Sequence, residues 1–396
     1  MTSNMRFAPI TDRLADTGAA KWAIHHRARA LQAQGRDIIE LTIGEPDLPP
    51  EPALFDIAYQ AMKAGRTRYS SGRGEPGLLQ ALATRYSKRR AAVTTQNIMC
   101  FPGTQTGLFA TMMGLASEGD EVLVGDPSYA TYEGIIRSSG ASRVSVRLRP
   151  EHGFRMQAAD LEAVITPRSR VLLLNSPHNP TGAVMTKADI AAVAEICVKH
   201  DLWIVCDEVY EELVFDGQFA SPFDMPELAN RVVVVSSISK MLAAPGFRSG
   251  WVVGPEEFCE RMLPLSESML FGNQPFLADM TEWALGQNLP TAKNMREAYQ
   301  RRAEILMKHL GSVPGLKPLM PKAGMFLVVD VTGSGLDGEA FAWALLEAGV
   351  AVMPGTSFGD NARNFFRISL TVPDEKIAEA ANRIATFTAS LKDKAA

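Results

Sequence analysis

A lysine ends an apolar run in the middle of the chain, where Val232-Val-Val-Val-Ser-Ser-Ile-Ser leads directly into Lys240. A charged amine at the end of a buried strand costs free energy unless it is paired or neutralised. Desolvation also makes a lysine amine nucleophilic, as Schiff-base chemistry requires. The run therefore predicts a Schiff-base lysine, and a lysine that turns outward to solvent is the alternative.

Two other segments place polar side chains after apolar runs. The run Trp203-Ile-Val-Cys-Asp207 is followed by Tyr210, and Asn175-Ser-Pro-His-Asn179 forms a rigid turn. Asp207 either caps the next helix or pairs with the protonated pyridine nitrogen of pyridoxal phosphate, which keeps that ring an electron sink. Tyr210 and Asn179 would stand near the same ring. Together with the lysine, these residues predict one pyridoxal 5′-phosphate site.

The phosphate of this cofactor needs donors that favour an anion. The segment Pro102-Gly103-Thr104-Gln105-Thr106 lies between a predicted strand and a predicted helix. Free backbone N–H groups and the helix dipole favour anions at such a place. Ser237 and Arg248 are the candidate side-chain donors that would complete this phosphate-binding site.

Two motifs point to other chemistry and fail on their context. Gly72-Arg-Gly-Glu-Pro-Gly77 matches the dinucleotide-binding pattern, but no buried strand precedes it and no acid occurs between Leu78 and Ser117. Ser237-Ile-Ser-Lys matches the motif of serine acyl-enzymes, yet their Ser-Asp-Asn and Lys-Thr-Gly elements are absent from the sequence. We interpret the first motif as a loop before a helix and reject a serine nucleophile.

Length and charge exclude several classes of protein. The 396 residues are too many for one small core and predict two domains. Forty Lys and Arg residues against 44 Asp and Glu residues give a net charge of −4. No basic excess is available to neutralise phosphates, so we expect no nucleic-acid partner.

We expect no membrane span and no metal. The uncharged stretch from Ala91 to Ser117 is interrupted by polar turns, which predicts a strand, a loop and a helix. The N-terminus lacks the pattern of a signal peptide, so a cytoplasmic location is expected. The four cysteines have no short spacing, and no His-Glu-x-x-His pattern occurs, which argues against a metal site.

Alternating strand and helix patterns predict an α/β fold with a mostly parallel sheet sandwiched by helices. The predicted strands are Asn97–Phe101, Glu121–Gly125, Arg143–Arg149, Val171–Asn175, Leu202–Cys206, Val232–Ser236 and Gly250–Gly254. The predicted helices in this region are Thr106–Ala116 and Lys187–His200, the latter with a capping box from Thr186 to Asp189. Ligands of such sheets bind at the carboxyl ends of the strands.

The pattern of predicted strands and helices changes after about residue 290, and the new pattern predicts a smaller α+β domain. Its predicted helices are Met295–Leu310, Gly338–Glu347 and Asp374–Leu391, with strands at Met325–Val329 and Phe366–Leu370. We expect a large cofactor domain over residues 47–290, and a small domain formed by residues 1–46 and 291–396.

Four motifs in their order along the chain carry a family resemblance. Asn179-Pro-Thr-Gly and Asp207-Glu-x-Tyr precede Ser237-x-Ser-Lys, which is followed by Gly246-x-Arg-x-Gly-Trp. The chain thus resembles the fold type I, class I/II aminotransferases of the aspartate aminotransferase superfamily. The match extends from Gly44-Glu-Pro-Asp to Phe366-Arg-Ile-Ser. Two stretches, residues 18–28 and 200–213, look closest to arginine–pyruvate transaminases.

The resemblance implies a role for each cofactor residue. Lys240 would carry the Schiff base and move the proton, and Asp207 would pair with the pyridine nitrogen. The other implied cofactor contacts are Tyr210 and Asn179 at the 3-oxygen, Tyr129 stacked on the ring, Gly103, Thr104, Gln105, Ser237 and Arg248 at the phosphate, and Tyr69 at the phosphate of the neighbouring subunit. A homodimer with shared active sites follows from the last contact.

The resemblance also implies how substrates are held. Arg367 would clamp the α-carboxylate bidentately, with Gly44 and Asn179 beside it. The segment from Gly18 to His26 is expected over the active site, where Lys21 either receives a distal carboxylate or is simply solvated. The donor therefore stays open between aspartate or glutamate and arginine.

The implied reaction moves the amino group of an L-amino acid to a 2-oxo acid by a ping-pong mechanism through Lys240. A carbon–sulfur β-lyase on the same fold is the alternative, since it uses the same lysine. A transcription regulator with an aminotransferase-like domain is disfavoured, because the match begins within the first fifty residues.

Overall fold

The computed structural model describes residues 6–15 and 20–393. Gly18 and Ala19, the first part of the segment expected over the active site, lie outside the described residues. The strands are β1 Ile39–Glu40, β2 Ile98–Phe101, β3 Glu121–Asp126, β4 Ser142–Arg147, β5 Ser169–Asn175, β6 Trp203–Asp207, β7 Val232–Ser237, β8 Gly250–Val253, β9 Lys317–Leu319, β10 Phe326–Asp330, β11 Val350–Ala351, β12 Met353–Pro354 and β13 Phe365–Ser369.

Helices surround these strands and connect most of them. They are α1 Pro9–Ala15, α2 Ala23–Ala33, α3 Pro52–Lys63, α4 Pro76–Ser87, α5 Thr104–Leu115, α6 Tyr132–Ser138, α7 Ala158–Glu162, α8 Lys187–Lys199, α9 Ile238–Met241, α10 Glu256–Met269, α11 Pro275–Leu285, α12 Thr291–Leu310, α13 Gly338–Glu347 and α14 Asp374–Asp393. Within the described ranges, no helix is both long enough and apolar enough to cross a membrane.

Seven strands form the central sheet in the order β2-β8-β7-β6-β5-β3-β4. Every neighbouring pair is parallel except the two pairs that contain β8. The segment between β7 and β8 carries the four-residue helix α9 and a single 3₁₀ turn at Pro245–Phe247, which are too short to cross the sheet, so β8 returns antiparallel. The prediction of an α/β fold with a mostly parallel sheet is confirmed.

Both faces of this sheet are buried, as parallel sheets require. In β5, Leu172 and Leu174 belong to one apolar cluster, whereas Val171 and Leu173 belong to another. Successive side chains of a strand point to opposite faces, so the two clusters cover opposite sides of the sheet. The capping box at Thr186 is present, with its side chain accepting from the N–H of Asp189.

A second sheet, in the order β12-β13-β10-β9, is antiparallel throughout. It shares a third apolar cluster with α12, α13 and α14, and β1 pairs with β11 beside it. The expected α+β character after residue 290 is confirmed by these elements. The domain boundaries at residues 46/47 and 290/291 stay a prediction.

One edge of the central sheet collects the ends of the strands that carry polar side chains. Strands β2, β5, β6 and β7 run in the same direction, so their carboxyl ends meet there. Antiparallel β8 begins at this edge, because Gly250 pairs with both Phe101 and Ser237. The segment before β8, which carries Arg248, therefore lies beside the ends of β2 and β7.

Candidate active site

A cleft that is open to solvent lies at this edge of the sheet. Ten of the residues expected from the sequence line it: Gly44, Thr104, Gln105, Tyr129, Asn179, Asp207, Tyr210, Lys240, Arg248 and Arg367. Gly103, Ser237, Lys21 and Tyr69 are not among its lining residues. The lining also contains side chains that the sequence did not single out, notably Trp22, Tyr132, Asn175 and Phe326.

Lys240 lies in the short helix α9 with its amine directed at the N-terminal part of the chain. Its Nζ donates a hydrogen bond of 2.6 Å to the carbonyl of Gly44. Burial lowers the pKa of Lys240 to about 8, and the guanidinium of Arg367 acts in the same direction against the carboxylate of Glu45. The neutral, nucleophilic amine is therefore populated far more than in an exposed lysine.

Asp207 ends β6 with a carboxylate that is almost fully buried, at 4% exposure. Oδ2 accepts a hydrogen bond of 2.6 Å from the phenol of Tyr132, and Oδ1 accepts one of 3.3 Å from the N–H of Val209. Burial raises the pKa of Asp207 to about 6, while these two hydrogen bonds oppose the rise. A buried carboxylate of this kind favours a cationic partner.

Asn175 joins two of the strand ends that line the cleft. Its Nδ2 donates to the carbonyl of Asp207 at 3.0 Å, and its Oδ1 accepts from the N–H of Asn179 at 2.8 Å. The side chain at the end of β5 thus fixes the neighbouring end of β6 and the turn that presents Asn179. Sequence reasoning quoted Asn175 within the turn motif and gave it no function.

Arg367 lies in the middle of β13, buried to 2% exposure. Its Nη1 donates to Oδ1 of Asn179 at 3.1 Å, its Nη2 donates to the carbonyl of Thr42, and its buried Nε has no hydrogen-bond partner in the described part of the chain. The rings of Phe326 and Phe358 lie 3.9 and 4.6 Å from the guanidinium carbon.

No carboxylate of the described residues is among the groups that act on this guanidinium, and burial lowers the pKa of Arg367 to about 10. A buried cation without an anionic partner is costly. The arrangement suits a ligand that brings a carboxylate of its own, which an arginine fork can bind bidentately.

Two tyrosines flank the space between Asp207 and Arg367. Burial raises the pKa of both Tyr129 and Tyr210, so both phenols stay neutral and can donate hydrogen bonds. Asn179 hydrogen-bonds the phenol of Tyr210. The ring of Tyr129 meets that of Tyr132 edge to face, with centroids 5.5 Å apart.

The start of α5 forms an anion cradle with the end of β7. Its N-cap residue is Gly103, which has no side chain with which to cap the helix, so the first N–H groups remain available. The hydroxyl of Thr104 donates to that of Ser237 at 2.8 Å. Gly103 has a φ of +83°, and a Cβ there would lie only 2.3 Å from Nη2 of Arg248. The close approach of this guanidinium to the turn therefore requires a glycine.

The remaining predicted residues have other neighbours. The Nζ of Lys21 donates to the carbonyl of Ala130 at 3.1 Å, and the side chain of Gln105 accepts from the hydroxyl of Thr131 at 3.2 Å. Tyr69 is 91% exposed and meets the ring of Phe271 at 5.7 Å. Lys21 and Tyr69 thus lie outside the cleft of this chain, and their predicted contacts to substrate and to a second subunit stay predictions.

Tyr132 is the functional candidate that sequence reasoning missed. A signal was present, because Tyr132 follows Tyr129 by three residues in Asp126-Pro-Ser-Tyr-Ala-Thr-Tyr, and such a spacing places two side chains on one side of a helical turn. Its hydrogen bond to Asp207 spans 75 positions of the sequence, which no local pattern indicates.

Comparison with known proteins identifies close relatives along the whole length of the chain. The model of the family described as aminotransferase class I and II matches residues 36–384. The arginine–pyruvate transaminase AruH of Pseudomonas aeruginosa is 42% identical over 393 residues, which cover 99% of this chain and 100% of that protein. An aspartate aminotransferase of Musicola paradisiaca is 31% identical, over 98% of this chain and 99% of that protein.

Solved structures of similar sequence share the fold. The aspartate aminotransferase from Thermus thermophilus with maleate superimposes with a TM-score of 0.90 at 32% identity, over 97% of this chain and 100% of that chain. The aspartate aminotransferase from Rhizobium meliloti gives a TM-score of 0.92 at 30% identity, over 98% of this chain and 99% of that chain.

Proposed function

The chain belongs to the class I and II aminotransferases and is an aminotransferase; on this premise we propose that arginine is its amino donor, a 2-oxo acid its acceptor, and pyridoxal 5′-phosphate its cofactor. Dependence on pyridoxal phosphate is a general property of the family. The observation that carries the proposal is one cleft lined by a partly buried lysine, a buried carboxylate and a buried arginine that has no anionic partner among the described residues.

The residues of the cleft fit this cofactor. Asp207 offers a buried carboxylate to the protonated ring nitrogen, and Tyr210 with Asn179 offers donors to the ring oxygen. The phosphate would be held by the start of α5 with Gly103, Thr104, Gln105, Ser237 and Arg248, and Tyr129 would face the ring. Bound pyridoxal phosphate supplies an electron sink that stabilises negative charge at the substrate Cα.

Lys240 is the group that moves the proton. Its amine, with a pKa lowered to about 8 by burial, is neutral in a substantial fraction of molecules near neutral pH. A neutral amine held beside the substrate removes the proton from Cα and later returns it, and a base in position contributes about 10²–10⁴-fold to the rate. The carbonyl of Gly44 orients this amine through the 2.6 Å hydrogen bond.

Arg367 orients the substrate for this step. Its guanidinium binds the α-carboxylate, while Asn179 and the carbonyl of Thr42 keep the fork in place. Fixing the carboxylate also fixes Cα relative to Lys240, and such positioning reduces the entropy lost on the way to the transition state.

The charges of the cleft support arginine rather than aspartate as the donor. Three cationic side chains line it, namely Lys240, Arg248 and Arg367, and the proposed chemistry uses all three. Of the described residues, no fourth cation lines the cleft to receive a distal carboxylate, since Lys21 is bonded to Ala130. The high identity to an arginine–pyruvate transaminase supports the same donor.

We also propose that the protein acts as a homodimer in which Tyr69 reaches the neighbouring site. Two exposed aromatic rings support this, because Tyr69 and Phe271 contact each other and are 91% and 55% exposed. Exposed apolar clusters on a folded protein mark interaction surfaces.

The test is a donor screen on the purified holoenzyme. We expect an absorption band of the bound cofactor that is lost in Lys240→Ala and kept in the control Lys308→Ala, whose lysine is exposed on α12. Arginine alone should convert this band to the amino form, and pyruvate should restore it. Conversion by aspartate and not by arginine would contradict the donor, and pyruvate with ammonia from a sulfur amino acid would favour the β-lyase.

A further inference from the structure

The aromatic side chains of the cleft differ in whether they already interact with polar or charged side chains of the protein. They are Trp22, Tyr129, Tyr132, Tyr210 and Phe326. Tyr132 donates its hydroxyl to Asp207, and Phe326 is covered by the guanidinium of Arg367 at 3.9 Å. Both rings are therefore committed to side chains of the protein itself.

The next two rings are committed as well, under the proposed function. Tyr210 is buried, and its phenol is hydrogen-bonded by Asn179. Tyr129 packs edge to face on Tyr132 and is the ring proposed to face the cofactor. Trp22 is half-buried, and among the described residues its indole N–H has no hydrogen-bond partner. One aromatic face of the cleft is thus left for a substrate.

Trp22 lies on the side of the cleft where a substrate carboxylate would bind. It packs against a small apolar cluster that contains Met353 and Phe358. Phe358 lies 4.6 Å from the guanidinium carbon of Arg367, and Met353 is the partner of Arg367 across the β12–β13 ladder. An amino acid held by Arg367 therefore has Trp22 within reach of its side chain.

The turn that carries Trp22 is fixed from two sides. The carbonyl of Lys21 accepts a hydrogen bond of 3.0 Å from the hydroxyl of Ser357, and its Nζ donates to the carbonyl of Ala130. The indole also meets the ring of His25 edge-on, with centroids 6.4 Å apart. An aromatic face held in this way loses little conformational entropy when a ligand stacks on it.

The cleft has little else with which to recognise a positive side chain. Asp207 is the carboxylate among its lining residues, and it is buried and bonded to Tyr132. A guanidinium is planar, weakly hydrated and stacks well on an indole, whereas an ammonium is a compact, strongly hydrated charge. We propose that Trp22 stacks on the guanidinium of the arginine donor and thereby determines donor preference; this inference rests on the proposed function.

The kinetic test compares three donors in two variants. Arginine carries the guanidinium, citrulline has the same length with a neutral ureido group, and alanine has no long side chain. For Trp22→Leu we expect kcat/KM for arginine to fall about tenfold, citrulline to fall less and alanine to change less than about twofold, as for the loss of a desolvated cation–π contact. Trp22→Phe should lose less than Trp22→Leu, because phenylalanine keeps a weaker aromatic face.

A binding measurement separates recognition from chemistry. 5-Guanidinopentanoate has the carboxylate and the guanidinium of arginine and no amino group, so it binds the holoenzyme without reacting. In calorimetry, Trp22→Leu should weaken its binding about tenfold and leave binding of pentanoate unchanged. The control is Trp343→Leu, whose indole lies on α13 and is not among the lining residues of the cleft.

The outcomes distinguish this inference from the proposed function. If the wild type does not use arginine, the proposed donor is wrong and the stacking inference falls with it. If the wild type uses arginine but both Trp22 variants lose activity equally for all three donors, Trp22 is merely structural and only the inference is overturned. If Trp22→Leu binds 5-guanidinopentanoate as tightly as the wild type does, the inference is overturned as well.

Discussion

The phenol of Tyr132 donates a 2.6 Å hydrogen bond to Oδ2 of Asp207, and both residues line the cleft. This bond stabilises the ionised carboxylate against its burial, which otherwise raises the pKa of Asp207. Because the carboxylate can hold a protonated pyridine nitrogen only while ionised, Tyr132 is a positioning residue for the proposed cofactor site.

Tyr132→Phe should therefore raise the pKa of Asp207 above its value of about 6. Near neutral pH, more of the carboxylate is then protonated, so affinity for pyridoxal phosphate falls about tenfold, as for loss of one hydrogen bond to a charged group. The dissociation constant measured between about pH 5 and 8 should show the weakening begin at higher pH in the variant. Identical pH profiles of wild type and Tyr132→Phe would contradict this role.

The lowered pKa of Lys240 predicts how the cofactor-free protein takes up pyridoxal phosphate. The neutral amine attacks the aldehyde, so the rate of uptake should rise with pH and level off above about pH 8. An exposed lysine would still be accelerating there, since its ordinary pKa is about 10.4. Stopped-flow absorbance across this range is the measurement, and a rate that keeps rising through pH 10 would refute the assignment of a desolvated lysine.

Gly103→Ala should damage the anion cradle more than it damages the fold. The substitution costs about 1–3 kcal/mol of backbone strain at positive φ and also drives a methyl group into Nη2 of Arg248. The matched control is Gly119→Ala, where φ is +94° and no atom of the described residues beyond its chain neighbours lies within 4 Å of the added Cβ. Both variants should lose similar stability in urea unfolding, whereas only Gly103→Ala should lose affinity for pyridoxal phosphate. If Gly103→Ala and Gly119→Ala bind pyridoxal phosphate equally well, Arg248 does not contribute to phosphate binding.

Arg367→Met should weaken substrate binding and raise the free energy of unfolding. The guanidinium is buried without an anionic partner in the described part of the chain, so replacing it with an apolar side chain removes a desolvation cost. We expect kcat/KM for every amino acid to fall by more than about 10³-fold, and the free energy of unfolding to rise by about 1–3 kcal/mol. Arg363→Met, at an exposed arginine, should change neither quantity. A destabilised Arg367→Met protein would show that its contacts with Asn179 and Thr42 outweigh the burial cost.

Shared active sites predict complementation between two inactive variants. Lys240→Ala and Tyr69→Ala should each have little activity alone. A heterodimer formed by coexpression has one site with both residues intact, so a statistical mixture should regain about a quarter of the wild-type activity. The heterodimer itself, isolated through a different tag on each chain, should have about half of the wild-type activity. A heterodimer as inactive as its parents would exclude a contribution of Tyr69 to the neighbouring site.

Much of the fold followed from local patterns. The seven strands of the central sheet were expected within two residues of their ends, because buried strands read as apolar runs. The direction of β8 was not predictable, since it depends on whether α9 can cross the sheet. Helices α10 and α11 were also missed, although they cover part of the sheet.

The candidate site, too, has residues that local sequence predicts and contacts that it does not. Asp207, Asn179 and Lys240 each follow an apolar run, and the shared direction of these strands is enough to bring their ends to one edge. The neighbours of Lys21 could not be read from the sequence, because its bond to Ala130 spans 109 positions. A lysine that is free in one tertiary arrangement is bound to a carbonyl in another, and its own sequence context is the same in both.

The sequence by itself determined which chemistry is available, since a lysine, an aspartate and an arginine stand at the ends or within strands that must be buried. Only the tertiary structure decided how these groups are tuned. The pKa values of Lys240, Asp207 and Arg367 shift because of burial and of neighbours far away in the chain, such as Tyr132 and Glu45. Desolvation and hydrogen bonding depend on what surrounds a group in space, and local sequence does not specify those surroundings.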